Sequence, residues 1–183
     1  VYAFNAAVTT ANATLNSVDF TTTGTYAAAN LSNFKLWYST DAIFNSATDT
    51  NIKTITTGLG TGLHTFSALT QAIANGATGY FFITVDLPCP STATNNLTVS
   101  AITTANLNFA SGNKSGTAFA SGTQTIQDDI PTNVTGAVTS SCVSNASTVG
   151  WSLPTNCYDN ILIFATNSSF TATLPTGTGG TTF

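Results

Sequence analysis

The 183-residue chain contains no arginine, no glutamate and no methionine, and only three lysines and one histidine. Charged residues make up 5% of it, against roughly 25% in an ordinary soluble domain. Contact with water must therefore rest on Thr, Ser and Asn. A formal net charge of −4 without a basic cluster gives no footprint for nucleic acid or for anionic lipid, so neither is expected as a partner. No apolar run approaches the roughly 20 residues needed to cross a bilayer, and no membrane insertion is expected. Val1 opens directly on a strand-like pattern, with no basic region or cleavage site ahead of it. Any export signal is expected to have been removed or to lie outside the chain.

Scarcity of Glu, Lys, Arg and Met also removes most of the strong helix formers. Thr takes their place, and its branched Cβ suits a pleated surface while its hydroxyl faces water. A hydrophobic fraction of 42% is enough for real cores. Short alternating blocks recur along the chain, as in an antiparallel all-β domain with one wet face. Tyr2, Phe4, Ala6 and Val8 alternate, as do Phe34, Leu36 and Tyr38, and later Leu97, Val99 and Ala101. In GYFFITVDLP, Phe81, Ile83, Val85 and Leu87 are expected to face a core, with Tyr80, Phe82, Thr84 and Asp86 on the other side. Gly58 to Gly62, Asn75-Gly76 and Ser111-Gly112 supply turns. Residues 67–77, which end in Asn and Gly without a capping partner, are read as a loop rather than a helix.

The stretch QDDIPTNVTG, residues 127–136, reads as a charged, proline-containing hinge after the last apolar strand residue, Ile126. Two domains are therefore expected, over 1–127 and 128–183.

The order TLNSVDFTTTGT, LSNFKLWYST, HTF and ATGYFFITVDL within residues 1–126 resembles the all-β domain at the N-terminus of bacterial neuraminidases. That likeness rests on aliphatic and aromatic spacing and carries no site. The segments IPTNVTGAV, STVGWSLP and NILIFATN resemble strands A, B and C of a fibronectin type III module, with Trp151 in the core and Pro154 ending strand B. Together the resemblances imply two tandem immunoglobulin-like β-sandwich modules, the second incomplete. They point to large secreted or cell-surface proteins of Bacteroidota, many exported by type IX secretion, in which such modules build adhesins and secreted enzymes.

Catalytic constellations are sparse. The resembling sialidases grip a substrate carboxylate through the planar fork of guanidinium groups, and this chain has no arginine. A triad needs a base beside a nucleophile, and the sole imidazole, His64, is read as an exposed strand residue in LHTF. Asp19, Asp41, Asp49, Asp86 and Asp159 are scattered singly and are read as surface solubility rather than a paired-carboxylate site. Asp128 and Asp129 form the one adjacent acidic pair, where oxygen ligands could gather Ca²⁺, though two carboxylates are few and a solvated linker is the simpler reading. Zinc lacks a Cys-x-x-Cys motif and a second histidine. No cofactor and no enzyme activity are expected.

Cys89, Cys142 and Cys157 leave room for one disulfide and one leftover thiol. Cys142 and Cys157 flank the expected strand B. A six-residue strand spans about 20 Å, beyond the roughly 7 Å limit between bridged Cα atoms, so these two are expected not to be paired with each other.

What remains is aromatic. Trp37 lies opposite the Phe34, Leu36 and Tyr38 face of its strand, while Tyr80 and Phe82 lie opposite the other core face. These three rings are candidates for stacking on glycans, or for cover by a second sheet or neighbouring domain. The expected role is a structural or adhesive segment of an extracellular or cell-surface protein, as an adhesin, stalk or filament subunit. Its partners would be neighbouring domains of the same polypeptide or other copies in an assembly, with surface glycans as a further possibility. The alternative is a carbohydrate-binding accessory region of a secreted glycosidase.

Overall fold

The computed structural model describes residues 1–89, 91 and 94–127, together with two strands at 135–139 and 149–152. The chain divides into two compact units, Val1–Asp128 and Asp129–Phe183. In the second unit, strands β11 (Thr135–Thr139) and β12 (Val149–Ser152) pair antiparallel. Trp151 falls on β12, while the core placement assigned to its side chain, Pro154, the third strand, Cys142, Cys157 and the Asp128/Asp129 pair lie outside the described residues.

Unit 1 is all-β and antiparallel, in two sheets that form a sandwich. The first sheet has the order β1 (Tyr2–Ala7), β7 (Thr78–Asp86), β3 (Asn33–Ser39) and β4 (Thr50–Ile55). The second is built around β2 (Ala13–Gly24), the longest strand. One side of β2 pairs with β5 (Gly62–Phe66) and β6 (Gln71–Ile73); the other pairs with β8 (Asn96–Val99) and β9 (Leu107–Phe109). β10 (Gln124–Thr125) closes the edge beyond β8.

Period-two alternation sends every second side chain into the space between the sheets. Phe34 and Leu36 of β3 and Phe81 and Ile83 of β7 meet Phe20 and Val18 of β2, Phe66 of β5 and Val99 of β8, all essentially inaccessible to water. Phe20 stacks on Phe66 at 5.0 Å between centroids and meets Phe34 edge-on at 5.3 Å, an arrangement favoured by the ring quadrupole. Burying a side chain of this size stabilises the fold by roughly 1.5–3 kcal/mol.

Two local departures from strict alternation have physical causes. β2 breaks alternation between Leu15 and Val18, both fully buried, because its register with β9 slips between Leu15 and Ser17. Such a bulge shifts the side-chain phase by one residue. Leu87 is 39% exposed because β7 ends at Asp86, one residue before the alternation would have brought it inside. Residues 67–77 form no helix, and the three-residue β6 lies within them.

Cys89 is disulfide-bonded.

Candidate aromatic contact site

The outward face of the first sheet carries the candidate rings. β3 turns Asn33, Lys35 and Trp37 outward while Phe34 and Leu36 turn in; β7 turns Tyr80, Phe82, Thr84 and Asp86 outward while Phe81 and Ile83 turn in. The register sets Trp37 directly opposite Phe82, Lys35 opposite Thr84 and Asn33 opposite Asp86. On the far side of β7, Ala3 of β1 stands opposite Phe82 and Asn5 opposite Tyr80.

A third ring completes the strip. Phe44, in the 40–49 loop between β3 and β4, reaches back over the sheet, edge-on to Trp37 at 5.4 Å and tilted against Phe82 at 5.5 Å. The loop is held in shape by its own short polar side chains. Ile43 donates its N–H to Asp41 Oδ1 at 2.8 Å, Asn45 donates its N–H to Asp49 Oδ2 at 2.8 Å, and Ala47 donates its N–H to Asn45 Oδ1 at 3.0 Å. These are the local side-chain to backbone bonds that Asp and Asn supply readily in turns. No periodic signal marks Phe44 in the sequence, since it lies in a loop. An aromatic between Asp41 and Asp49 is the one hint that was present.

The strip is half-buried, not fully open. Trp37 donates its indole N–H to Thr84 Oγ1 at 2.9 Å, which fixes the ring along the sheet. Lys35 Nζ lies 6.0 Å from the Trp37 ring centroid, at the outer reach of a cation–π contact. Lys35 also pairs with Asp86, which accepts a further hydrogen bond from Asn33 Nδ2 at 2.9 Å. Burial pushes the Asp86 carboxyl up, but the hydrogen bonds from Lys35 and Asn33 and the Lys35 charge outweigh it and leave its pKa below the ordinary value. Beside the strip, the small side chain of Ala3 leaves a hollow of about 260 Å³ lined by Phe44, Phe82, Thr84 and the start of β1.

Of the three candidate residues, the fold therefore brings Trp37 and Phe82 together and holds Tyr80 apart. Tyr80 is half-buried opposite Ser39 and Asn5 and, among the described residues, makes no ring contact with the strip. Among the acidic residues, Asp86 is an ion-paired strand residue, and Asp19 accepts a hydrogen bond from Thr65 Oγ1 at 2.7 Å across β2 and β5.

His64 needs correction. It is not an exposed strand residue but a buried one, 6% accessible, packed between Phe20 at 5.0 Å and Phe34 at 4.8 Å. Phe66 has to face the core, and the period of two carries His64 with it, leaving Leu63 69% exposed. Among the described residues no group of three or more His, Cys, Asp or Glu gathers where a metal could sit, and no helix is long and apolar enough to cross a membrane.

No family model matches the chain, and no curated protein or solved structure matches it.

Proposed function

We propose that this chain is a non-catalytic structural and adhesive segment of a large secreted or cell-surface bacterial protein, with the outward face of the first sheet as its contact surface. The observation that carries the reading is the Trp37–Phe44–Phe82 strip. It is a partly exposed aromatic cluster on the outer face of a sheet, bordered by an ion pair and a shallow hollow. Surfaces of this kind suit docking against another protein domain better than enclosing a small substrate. An exterior dominated by Thr, Ser and Asn and the disulfide at Cys89 fit an oxidising, extracellular setting. The likeness of residues 1–126 to the neuraminidase-associated domain, and of the following stretch to a fibronectin type III module, belongs to the same proposal.

A second reading, a carbohydrate-binding accessory region of a secreted glycosidase, draws on one specific feature. The hollow beside Phe82 and Phe44 places apolar ring surface next to the hydroxyl of Thr84, the pairing of a stacking platform with a hydrogen-bonding group that a sugar needs.

Sedimentation of the full chain and a glycan array, each run with Phe44→Ala and Phe82→Ala, separate the two. The first reading expects concentration-dependent association that weakens in both variants while the array stays silent. Saturable glycan binding lost in Phe82→Ala would replace it with the second. Association and glycan binding both unchanged by the substitutions would remove the strip from either role.

A further inference from the structure

Among the described residues, β1 is the outer strand of its sheet and pairs with β7 on one side alone. Val8 donates its N–H to the Ala77 carbonyl at 2.9 Å at the end of that ladder. Alternation in an antiparallel pair then assigns the bonds to β7 to Tyr2, Phe4 and Ala6. The N–H and C=O groups of Ala3, Asn5 and Ala7 are aimed the other way, at the open edge. The strand itself carries none of the sequence devices that discourage strand addition. β1 reads YAFNAA, without charge or proline, and its register runs from Tyr2↔Ile83 to Ala7↔Thr78 without a bulge. By contrast, the opposite edge strand of the same sheet, β4, contains Lys53 and sits beside a register shift at Leu36/Trp37.

A cavity of about 440 Å³ lies against β1, lined by residues 1–5 on one side and 115–122 on the other. Consecutive strand residues point to opposite faces, so a cavity that touches all five lies along the strand's edge and not on one face. The facing wall is a second stretch of backbone that belongs to no strand ladder. Residues 111–120 contain no helix or strand, and among the described residues no backbone–backbone hydrogen bond ties 112–120 to another segment. Tyr2 spans the two walls: its hydroxyl donates to the Phe119 carbonyl at 2.8 Å and accepts the Ile102 N–H at 3.1 Å. Farther along, Ser121 donates its N–H to the Val99 carbonyl at 2.8 Å, and its Oγ accepts the Val99 N–H at 2.8 Å. Phe4, Ile102 and Leu107 contribute apolar lining, and no lining side chain is charged.

We propose that this slot receives an extended, uncharged segment of another polypeptide, added as a further strand along β1. The added strand would hydrogen-bond to Ala3, Asn5 and Ala7 on one side and to the backbone of 115–120 on the other. Main-chain bonds of this kind supply affinity, while pockets for alternate side chains supply selectivity. The slot selects by chemistry in two ways. Alternate side chains directed at Phe4, Ile102 and Leu107 are apolar, and a charged side chain set against them is rejected because it would lose hydration with no charged side chain in the lining to meet it. Five residues of β1 correspond to an occupant of about 17 Å.

The test uses the full chain and one probe, the acetylated and amidated peptide NLTVSAI, which copies the uncharged residues 96–102 of this chain. Backbone amide exchange is followed residue by residue. In free protein the amides of Ala3, Asn5 and Ala7 exchange faster than those of Tyr2, Phe4 and Ala6, and saturating peptide slows the first set by at least about tenfold. Peptides N-methylated at alternate positions, in either phase, lose this effect. Asn5→Pro removes one edge-facing N–H without touching the ladder to β7, so it should weaken peptide binding at least about tenfold while melting is unchanged. If that variant does not fold, the N-methylated peptides decide. The proposal is overturned if the Ala3, Asn5 and Ala7 amides are already protected in the peptide-free monomer. It is equally overturned if millimolar peptide slows none of them, or if N-methylation leaves binding intact.

Discussion

Thr22 Oγ1 and His64 Nε2 stand 2.9 Å apart inside the sandwich, where both residues are almost wholly buried. They belong to a small polar network set among aromatic rings. Thr22 Oγ1 also contacts the Tyr26 hydroxyl, which in turn donates to the Gly60 carbonyl at 3.1 Å. Buried polar groups persist where their hydrogen bonds are satisfied within the protein, and this network meets that condition.

The first prediction concerns acid. Burial lowers the His64 pKa below its ordinary value, and hydrogen bonds to the Gly60 and Gly58 carbonyls oppose that shift without cancelling it. The unfolded chain therefore binds a proton at His64 more readily than the folded one, and the contribution of the neutral ring is complete above about pH 6.5. It is lost as pH falls from there toward the depressed folded value. Melting temperature should drop across this window in the native chain and drop less in His64→Gln. Equal slopes in the two proteins would show that His64 is not the titrating group.

Gly24 ends β2 at φ +133°, and a Cβ there would lie 2.2 Å from the Asn96 carbonyl oxygen. That oxygen accepts the N–H of Thr25 at 3.1 Å and of Tyr26 at 3.3 Å, so it has little freedom to move aside. Gly24→Ala should cost on the order of 2–4 kcal/mol through combined backbone strain and overpacking. Gly58→Ala, with positive φ but nothing within 4 Å of the added atom, should cost about 1 kcal/mol. Urea denaturation of the two variants compares them directly, and similar losses would argue against the clash.

The Lys35–Asp86 pair borders the aromatic strip and is partly open to solvent. Lys35→Gln should move the Asp86 pKa up toward the ordinary carboxylate value, visible by NMR titration of the carboxyl, while costing no more than about 1 kcal/mol. The sign at low pH follows from the depressed folded pKa of Asp86. Its stabilisation is present above about pH 3.8 and is lost as pH falls through the folded value, and the variant should lose less over that interval.

Cys89 is disulfide-bonded and exposed, so iodoacetamide should label it only after reduction. Peptide mapping that finds Cys89 alkylated in unreduced, denatured protein would contradict this assignment.

Much of the architecture was legible because alternation and turn chemistry are local. Tyr2 to Ala6, Phe34 to Leu36 and Phe81 to Ile83 announce strands by period two alone, and the scarcity of helix formers selects β structure for the whole chain. Trp37 and Phe82 could be assigned outward faces for the same reason. Their meeting could not be read, because it depends on the register between β3 and β7, strands separated by more than thirty residues that include three others.

What only the tertiary structure decided is what long-range packing decides. The bulge in β2 moved the phase of Leu15 relative to Val18; Phe66 drew His64 into the core and left Leu63 outside; and Phe44, silent in a loop, became the third ring of the strip. The slot beside β1 lies between segments more than a hundred residues apart, with Tyr2 tied to Phe119. Composition and periodicity fix which faces are apolar, through the geometry of a single strand. Which faces, edges and loops come together depends on register and sheet order, and no local pattern encodes those.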